Sequence, residues 1–250
     1  MEITLYFSIT SILAFVLAFV YVSRGLLKKL GAALSKRNHA FFSYFLGAVY
    51  NQTVHEYKVK IFTEINKHLE TNNGEVMEIG AGSGGSLSYY SKDIDIKLTA
   101  VEPNQHCRQY LEKNLKKYDN IQLKDYIENV GEDLKDIPSN SIMCIVITIV
   151  LCSVENQIKV LEEIKRVLKP GGKYFFMEHV VAEKETSIYH FQKRFSKFWS
   201  FCFDSCNLDR DTGTFIKRAG FSEVEIKSFD ANFNYFFKGL RPHIYGCATK

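Results

Sequence analysis

The chain has 250 residues, 46% hydrophobic and 24% charged, with a net charge of +4 and six cysteines. With an apolar N-terminal segment set aside, roughly 200 residues remain, enough for one domain with a sizeable core. The modest charge, with no Lys/Arg-rich stripe in the body of the chain, excludes nucleic acid as the implied partner. The cysteines form no Cys-x-x-Cys pair and lack His partners at ligand spacing, so ordinary buried thiols and no metal are expected.

Between Glu2 and Arg24 no charged residue occurs, and Ile3 to Ser23 is long enough to cross a hydrocarbon core at about 1.5 Å per residue. The run is apolar on every face, unlike a core helix, and it lacks the basic start and small-residue cleavage site of a secretory signal. Residues 1–24 therefore read as a membrane anchor. Arg24, Lys28, Lys29, Lys36 and Arg37 follow the segment and none precedes it, which predicts a cytosolic orientation for what comes after. Residues 25–55 form a basic, amphipathic juxtamembrane stretch, with Leu26, Leu30, Leu34, Phe41, Phe42 and Phe45 among its apolar positions. It either lies in the membrane interface or packs on the following domain, so a full span and an interfacial hairpin both stay open. Asn51-Gln52-Thr53 is a glycosylation sequon that stays bare in the predicted orientation. The folded domain is assigned to residues 56–250.

The domain's first strand, Val76 to Ile79, runs into a turn with Gly80, Gly82 and Gly84, where the backbone can take positive φ and approach a ligand closely. A phosphate-binding P-loop would end in Gly-Lys-Ser/Thr, and this turn does not. About twenty residues on, Leu98 to Val101 form a second strand ending in Glu102, followed by Pro103 and Asn104. An acid there can accept hydrogen bonds from both hydroxyls of a ribose. A helix is predicted near Gln105 to Lys117 and a strand near Ile121 to Leu123. Gly131, Glu132 and Asp133 follow, with an acid able to reach an adenine amino group. Ile142 to Leu151 is a continuous apolar run, the signature of a central parallel strand covered on both faces. Glu155 to Lys169 is a helix stopped by Pro170-Gly171-Gly172, and Tyr174 to Glu178 is the next strand. Ile188 to Phe203 reads as a hydrophobic cap helix, and Glu223 to Phe229 with Ile244 to Ala248 as a closing hairpin-like pair.

Four segments, EIGAGSG at 78–84, VEPN at 101–104, GEDL at 131–134 and LEEIKRVLKPGGKYFF at 161–176, resemble the class I S-adenosylmethionine-dependent methyltransferases. The resemblance implies an α/β fold with a doubly wound, seven-stranded, mostly parallel Rossmann-like sheet, its last strand antiparallel, and S-adenosyl-L-methionine as cofactor. Glu78 would meet the methionine amino group. Gly80, Ala81, Gly82 and Gly84 would pass under the methionine and ribose, with Glu102 on the ribose hydroxyls, an acid of Gly131, Glu132 and Asp133 at the adenine, and Pro103 and Leu151 also against the cofactor. Where many members begin the fourth strand with Asp, this chain has Met143. The run at 148–180, CNLDRDT at 206–212 and RPHIYG at 241–246 are most similar to the membrane-anchored methyltransferase-like 7 group. That likeness implies thiol S-methylation of small lipophilic acceptors at the endoplasmic reticulum membrane or lipid droplet.

A thiol reacts as thiolate, and with an ordinary pKa near 8.5 only about a few per cent is ionised at neutral pH, so a neighbouring base or cation would help. His179, directly after the fifth strand, stands at the carboxyl edge where open α/β sheets bind ligands. Asp204 is the second catalytic candidate and His243 a weaker one. Methylation of oxygen, nitrogen or lipid, or a non-catalytic membrane protein that keeps the fold, are the competing readings.

Overall fold

The computed structural model describes residues 32–250. The proposed anchor over 1–24 lies outside these residues, and among the described ones no helix is long and apolar enough to cross a membrane. Two helices come first, α1 (Ala32–Thr53) and α2 (His55–Glu70). Strands β1 (Glu75–Ile79) and β2 (Ile96–Val101) precede helix α3 (Arg108–Leu115) and strand β3 (Ile121–Ile127). Next come β4 (Ile142–Thr148), α4 (Gln157–Val167), β5 (Leu168–His179), α5 (Ser187–Cys202) and α6 (Thr212–Arg218). The chain closes with β6 (Glu223–Asp230) and β7 (Pro242–Thr249).

The seven strands form one sheet in the order β3-β2-β1-β4-β5-β7-β6, with β7 antiparallel to both of its neighbours. The chain winds one way from β1 to β3 and the other way from β4, so the switch point lies between β1 and β4. A core cluster covers each face. Ile61, Phe62, Ile65 and Leu69 recur at helical spacing on α2 and bury against one face. Val160, Leu161, Ile164 and Val167 of α4 bury against the other. Asn156 starts α4 by accepting from the amides of Ile158 and Lys159 at 3.0 and 3.2 Å. Coverage on both faces explains why β4 is apolar at nearly every position, as its sequence predicts.

Three boundaries differ from the sequence expectation. The fourth strand ends at Thr148, not Leu151, because Ile149 turns into the left-handed region at φ 57°. A β-branched residue there costs about 1–3 kcal/mol. The bend aims the amides of Val150 and Leu151 at Glu178. β3 runs on to Ile127, with a register shift opposite Leu98/Thr99 in β2. Pro170-Gly171-Gly172 does not separate helix from strand: Leu168 is already extended and pairs with Ile142, and the glycines sit in an irregularity before pairing resumes at Lys173.

Candidate active site

The glycine turn after β1 stands at the switch point, and its geometry is set by contacts on both sides. Gly80 has φ 71°, donates from its amide to the Val101 carbonyl at 2.7 Å, and leaves no room for a side chain: a Cβ would lie 2.3 Å from Val150 Cγ2. Gly82, at φ 53°, is the opposite case. A Cβ there would meet only the Gly80 carbonyl oxygen at 3.9 Å, so the turn presents bare backbone to open space. Its amide donates to Glu102 Oε2 at 3.0 Å, while the Asn104 amide donates to Oε1 at 3.0 Å. Each oxygen of Glu102 thus keeps a lone pair for a further donor. Burial raises the Glu102 pKa, the two amides oppose that rise, and the charge of Asp204 adds to it. An open glycine cradle beside a half-satisfied carboxylate fits the sugar of S-adenosylmethionine.

At the other end of the turn, Glu78 is buried and accepts from the Tyr90 hydroxyl at 2.5 Å. Its pKa is raised by burial, against the lowering effects of Tyr90 and of the Lys58 ammonium. Lys58 is only 2% exposed, and burial brings its pKa down to about 8 despite the favourable charge of Glu78. Lys58 also donates to the Gly85 carbonyl at 3.3 Å, and Asn51 of α1 donates to the same oxygen at 2.9 Å. The last turns of α1 therefore pack on the cofactor loop, and Tyr44 stacks on Tyr110 with ring centroids 5.1 Å apart. Part of the stretch assigned as juxtamembrane is a wall of the site.

The other cofactor candidates are placed unevenly. Ala81 and Leu151 are buried beside the turn, and Pro103 is exposed. Gly131 is a packing position, where a Cβ would come within 3.1 Å of Ile79 Cγ2. Glu132 Oε1 accepts from the amides of Glu155 and Asn156 at 2.7 and 3.1 Å, tying it to the start of α4. Asp133 pairs with Lys135 at 3.2 Å on the surface.

The carboxyl edge of β4 and β5 carries a second constellation. Glu178 Oε1 accepts from the amides of Val150 and Leu151 at 2.9 and 3.0 Å. Burial pushes its pKa up to about 7 against those amides and His179. His179, fully buried, has Nε2 3.1 Å from Cys206 Sγ, and the ligand atoms of Cys152, His179 and Cys206 all lie within 4.8 Å of one another. Burial is the largest influence on His179 and works against an imidazolium, but the neighbouring Cys152 sulfur and the Glu178 carboxylate together outweigh it and leave the pKa raised. A turn through Asp204 at φ 46° and Ser205 at φ 65° delivers Cys206, and the Asn207 amide donates to the Cys152 carbonyl at 2.9 Å. Asp204 itself is exposed, and its charge acts on Glu102 and Cys107, on the cofactor side.

His243 is buried and neutral, its pKa lowered to about 3 by burial and then by His179. Its Nδ1 is 3.1 Å from the Arg241 carbonyl, which can only accept, so the ring proton is on Nδ1 and Nε2 accepts from the Tyr50 hydroxyl at 2.8 Å. From there an aromatic wall runs outward: Tyr50 and His243 stack on Phe233, which meets Phe237, and Phe237 meets Trp199 of the cap helix edge-on at 5.8 Å. Sequence reasoning missed Lys58, Tyr90, Asn51 and Tyr50. The signal for Glu178 is its place as an acid directly after the apolar run Tyr174 to Met177.

Residues 77–176 match the family model described as a methyltransferase domain. The chain is 32% identical over 214 residues to the thiol S-methyltransferase TMT1A of Homo sapiens, covering 84% of this chain and 86% of that protein. It is 35% identical over 195 residues to the thiol S-methyltransferase TMT1B of Rattus norvegicus, covering 77% and 78%. Among solved structures, the YcgJ protein from Bacillus subtilis aligns with a TM-score of 0.61 at 12% identity, over 78% of this chain and 99% of that one. A phosphoethanolamine N-methyltransferase 2 from Haemonchus contortus, in complex with S-adenosyl-L-methionine, aligns with a TM-score of 0.55 at 15% identity, over 75% and 52%. The last two are likenesses of fold.

Proposed function

We propose, from the premise that this chain belongs to the class I S-adenosylmethionine-dependent methyltransferases of the TMT1 group, that its methyl acceptor is the sulfur of a small lipophilic thiol. The observation that carries this reading is the acceptor side of the site. Its wall is aromatic from Tyr50 to Trp199, and its buried polar edge carries the Cys152 and Cys206 sulfurs, the His179 imidazole and the Glu178 carboxyl. Such a wall suits an apolar acceptor. The relatives named thiol S-methyltransferases support the choice of sulfur.

When bound, S-adenosylmethionine supplies an electrophilic methyl group on a sulfonium. The chain's residues supply the rest. Glu102 and the bare face of Gly82 hold the sugar, Glu78 with Tyr90 sets the methionine end, and the aromatic wall excludes water. Alignment of this kind can contribute up to about 7–11 kcal/mol to a displacement. Incubating the full chain with methyl-labelled cofactor and a panel of thiols, phenols and amines tests the reading. Label is expected in apolar thiols, and transfer confined to phenols or amines would overturn it.

His179 is the group placed to assist ionisation of the acceptor. His179→Ala should lower the rate most for weakly acidic thiols and least for thiols already ionised, with cofactor affinity unchanged by calorimetry. Equal losses across thiols of graded pKa would reduce His179 to a structural role.

The protein is also proposed to work at a membrane of the endoplasmic reticulum or lipid droplet, facing the cytosol. Phe41, Phe45 and Val49 support this: spaced four residues apart on α1, they form a stripe on one helix face and are 53%, 53% and 54% exposed. Replacing all three with serine should lower retention on vesicles severalfold and leave cofactor affinity unchanged, and so should deletion of residues 1–23. Unchanged vesicle retention in both variants would contradict it. The sequon should stay bare, since a cytosolic Asn51 never meets the luminal glycosylation machinery. A glycosidase-sensitive mass shift would place the domain on the luminal side.

A further inference from the structure

Three elements far apart in sequence converge on one point at the carboxyl edge of the sheet. Cys152 comes from the bend after β4, His179 from the end of β5, and Cys206 from the turn after α5. Their ligand atoms lie within 4.8 Å of one another, and Cys152 and His179 are fully buried, with Cys206 9% exposed. The His179 and Cys206 side chains hydrogen-bond each other at 3.1 Å, and a thiol is a weak partner. His179 Nδ1 is buried and has no partner among the described residues, and neither has Glu178 Oε2 on the adjacent residue. Buried polar atoms without partners beside three converging donors mark the spot as incomplete.

Two thiolates and an imidazole are the donor set of a soft divalent cation, and a Cys₂His set with one open position is the catalytic form of a zinc site. Bonds of about 2.3 Å to sulfur and about 2.0 Å to nitrogen place tetrahedral ligand atoms roughly 3.5–3.8 Å apart, so a modest inward shift closes the set. Two thiolates neutralise the dication, which suits a buried site. We propose that Cys152, His179 and Cys206 bind a zinc ion whose open fourth position takes the sulfur of the acceptor thiol, so that His179 assists ionisation through the metal and not by taking the proton itself.

Metal binding releases the two cysteine protons to solvent, and binding of the acceptor as thiolate releases a third. In the transfer, the acceptor sulfur forms its bond to the methyl carbon as the carbon–sulfonium bond breaks, and the electron pair of that bond leaves with S-adenosylhomocysteine. The neutral thioether is a poor ligand and leaves. This role rests on the reading of the acceptor as a thiol, but the metal site can be measured without any turnover.

The experiment uses the full chain in detergent, reduced with a phosphine, stripped with a chelator and titrated with cobalt(II) as probe. The expected result is one cobalt per chain, with a sulfur-to-cobalt charge-transfer band that is lost in Cys152→Ser and Cys206→Ser. Both variants should still bind S-adenosylmethionine by calorimetry, which shows that they fold. A small alkyl thiol should shift the visible ligand-field bands of the wild type. Absence of the charge-transfer band, or its survival in Cys152→Ser, overturns the site. A band that no thiol shifts overturns the acceptor role. Full thiol methylation by metal-free protein sinks this inference and leaves the thiol reading intact, whereas a cobalt site in an enzyme that methylates only phenols or amines does the reverse.

Discussion

Replacing Glu102 with alanine is expected to weaken S-adenosylmethionine binding at least tenfold while the fold persists. Glu102 holds the cofactor loop from both sides, through the Gly82 amide on Oε2 and the Asn104 amide on Oε1, each at 3.0 Å. Each hydrogen bond from a ribose hydroxyl to a charged group contributes about 1.5–3 kcal/mol. The first such bond lost therefore accounts for about a tenfold to hundredfold change. Loosening of Gly82, whose amide loses its acceptor, adds to it. Glu102 is at the carboxyl end of β2 and outside both core clusters, so unfolding by denaturant should change little. Glu102→Gln should bind better than Glu102→Ala, because the amide oxygen can still accept. Calorimetry with unchanged cofactor affinity for Glu102→Ala would overturn the ribose assignment.

Gly80→Ala and Gly82→Ala should both abolish measurable cofactor binding, for different reasons. At Gly80 the new methyl would lie 2.3 Å from Val150 Cγ2, in a backbone at φ 71°. The clash and the left-handed backbone together should lower stability by about 2–4 kcal/mol. Val150→Ala removes the clashing atom, so the double variant should regain part of that stability, though not the part due to φ. At Gly82 nothing is struck, and only the backbone cost of about 1–2 kcal/mol remains. The methyl instead fills the cradle. Chemical denaturation with calorimetry separates the two. A Gly82→Ala protein that binds cofactor normally would mean that the cradle lies elsewhere.

The half of the site built from consecutive residues was legible in the sequence. Val76 to Gly84 and Leu98 to Asn104 each combine a strand and its terminal ligand group in one short segment, so local pattern sufficed. Where the chain returns from a distance, local pattern carried no signal. Lys58 sits at a buried position of α2 that spacing would give to an apolar residue, and it is kept there by Glu78 and the Gly85 carbonyl. Tyr50 and Asn51 belong to a helix that reads as juxtamembrane, yet they reach the catalytic edge. Cys152, His179 and Cys206 are spaced evenly at 27 residues, far outside any metal-ligand spacing, and only the parallel pairing of β4 with β5 and the turn after α5 bring them together. Spacing along the chain does not constrain ligands drawn from three elements, so the sequence carries no signal for this cluster. The fourth strand was overextended for a similar reason: Ile149 is apolar and β-branched like its neighbours, and nothing in its identity announces a left-handed bend.

If this methyltransferase delivers its methyl group to sulfur, a single acceptor that offers both sulfur and oxygen will carry the methyl on sulfur. An apolar acceptor carrying both a thiol and a phenolic hydroxyl, such as a mercaptophenol, presents both atoms to the same aromatic wall. With methyl-labelled S-adenosylmethionine and the full chain, mass spectrometry of the product should find the label on sulfur and the hydroxyl free. Label on oxygen, with the thiol left unmodified, would contradict the account.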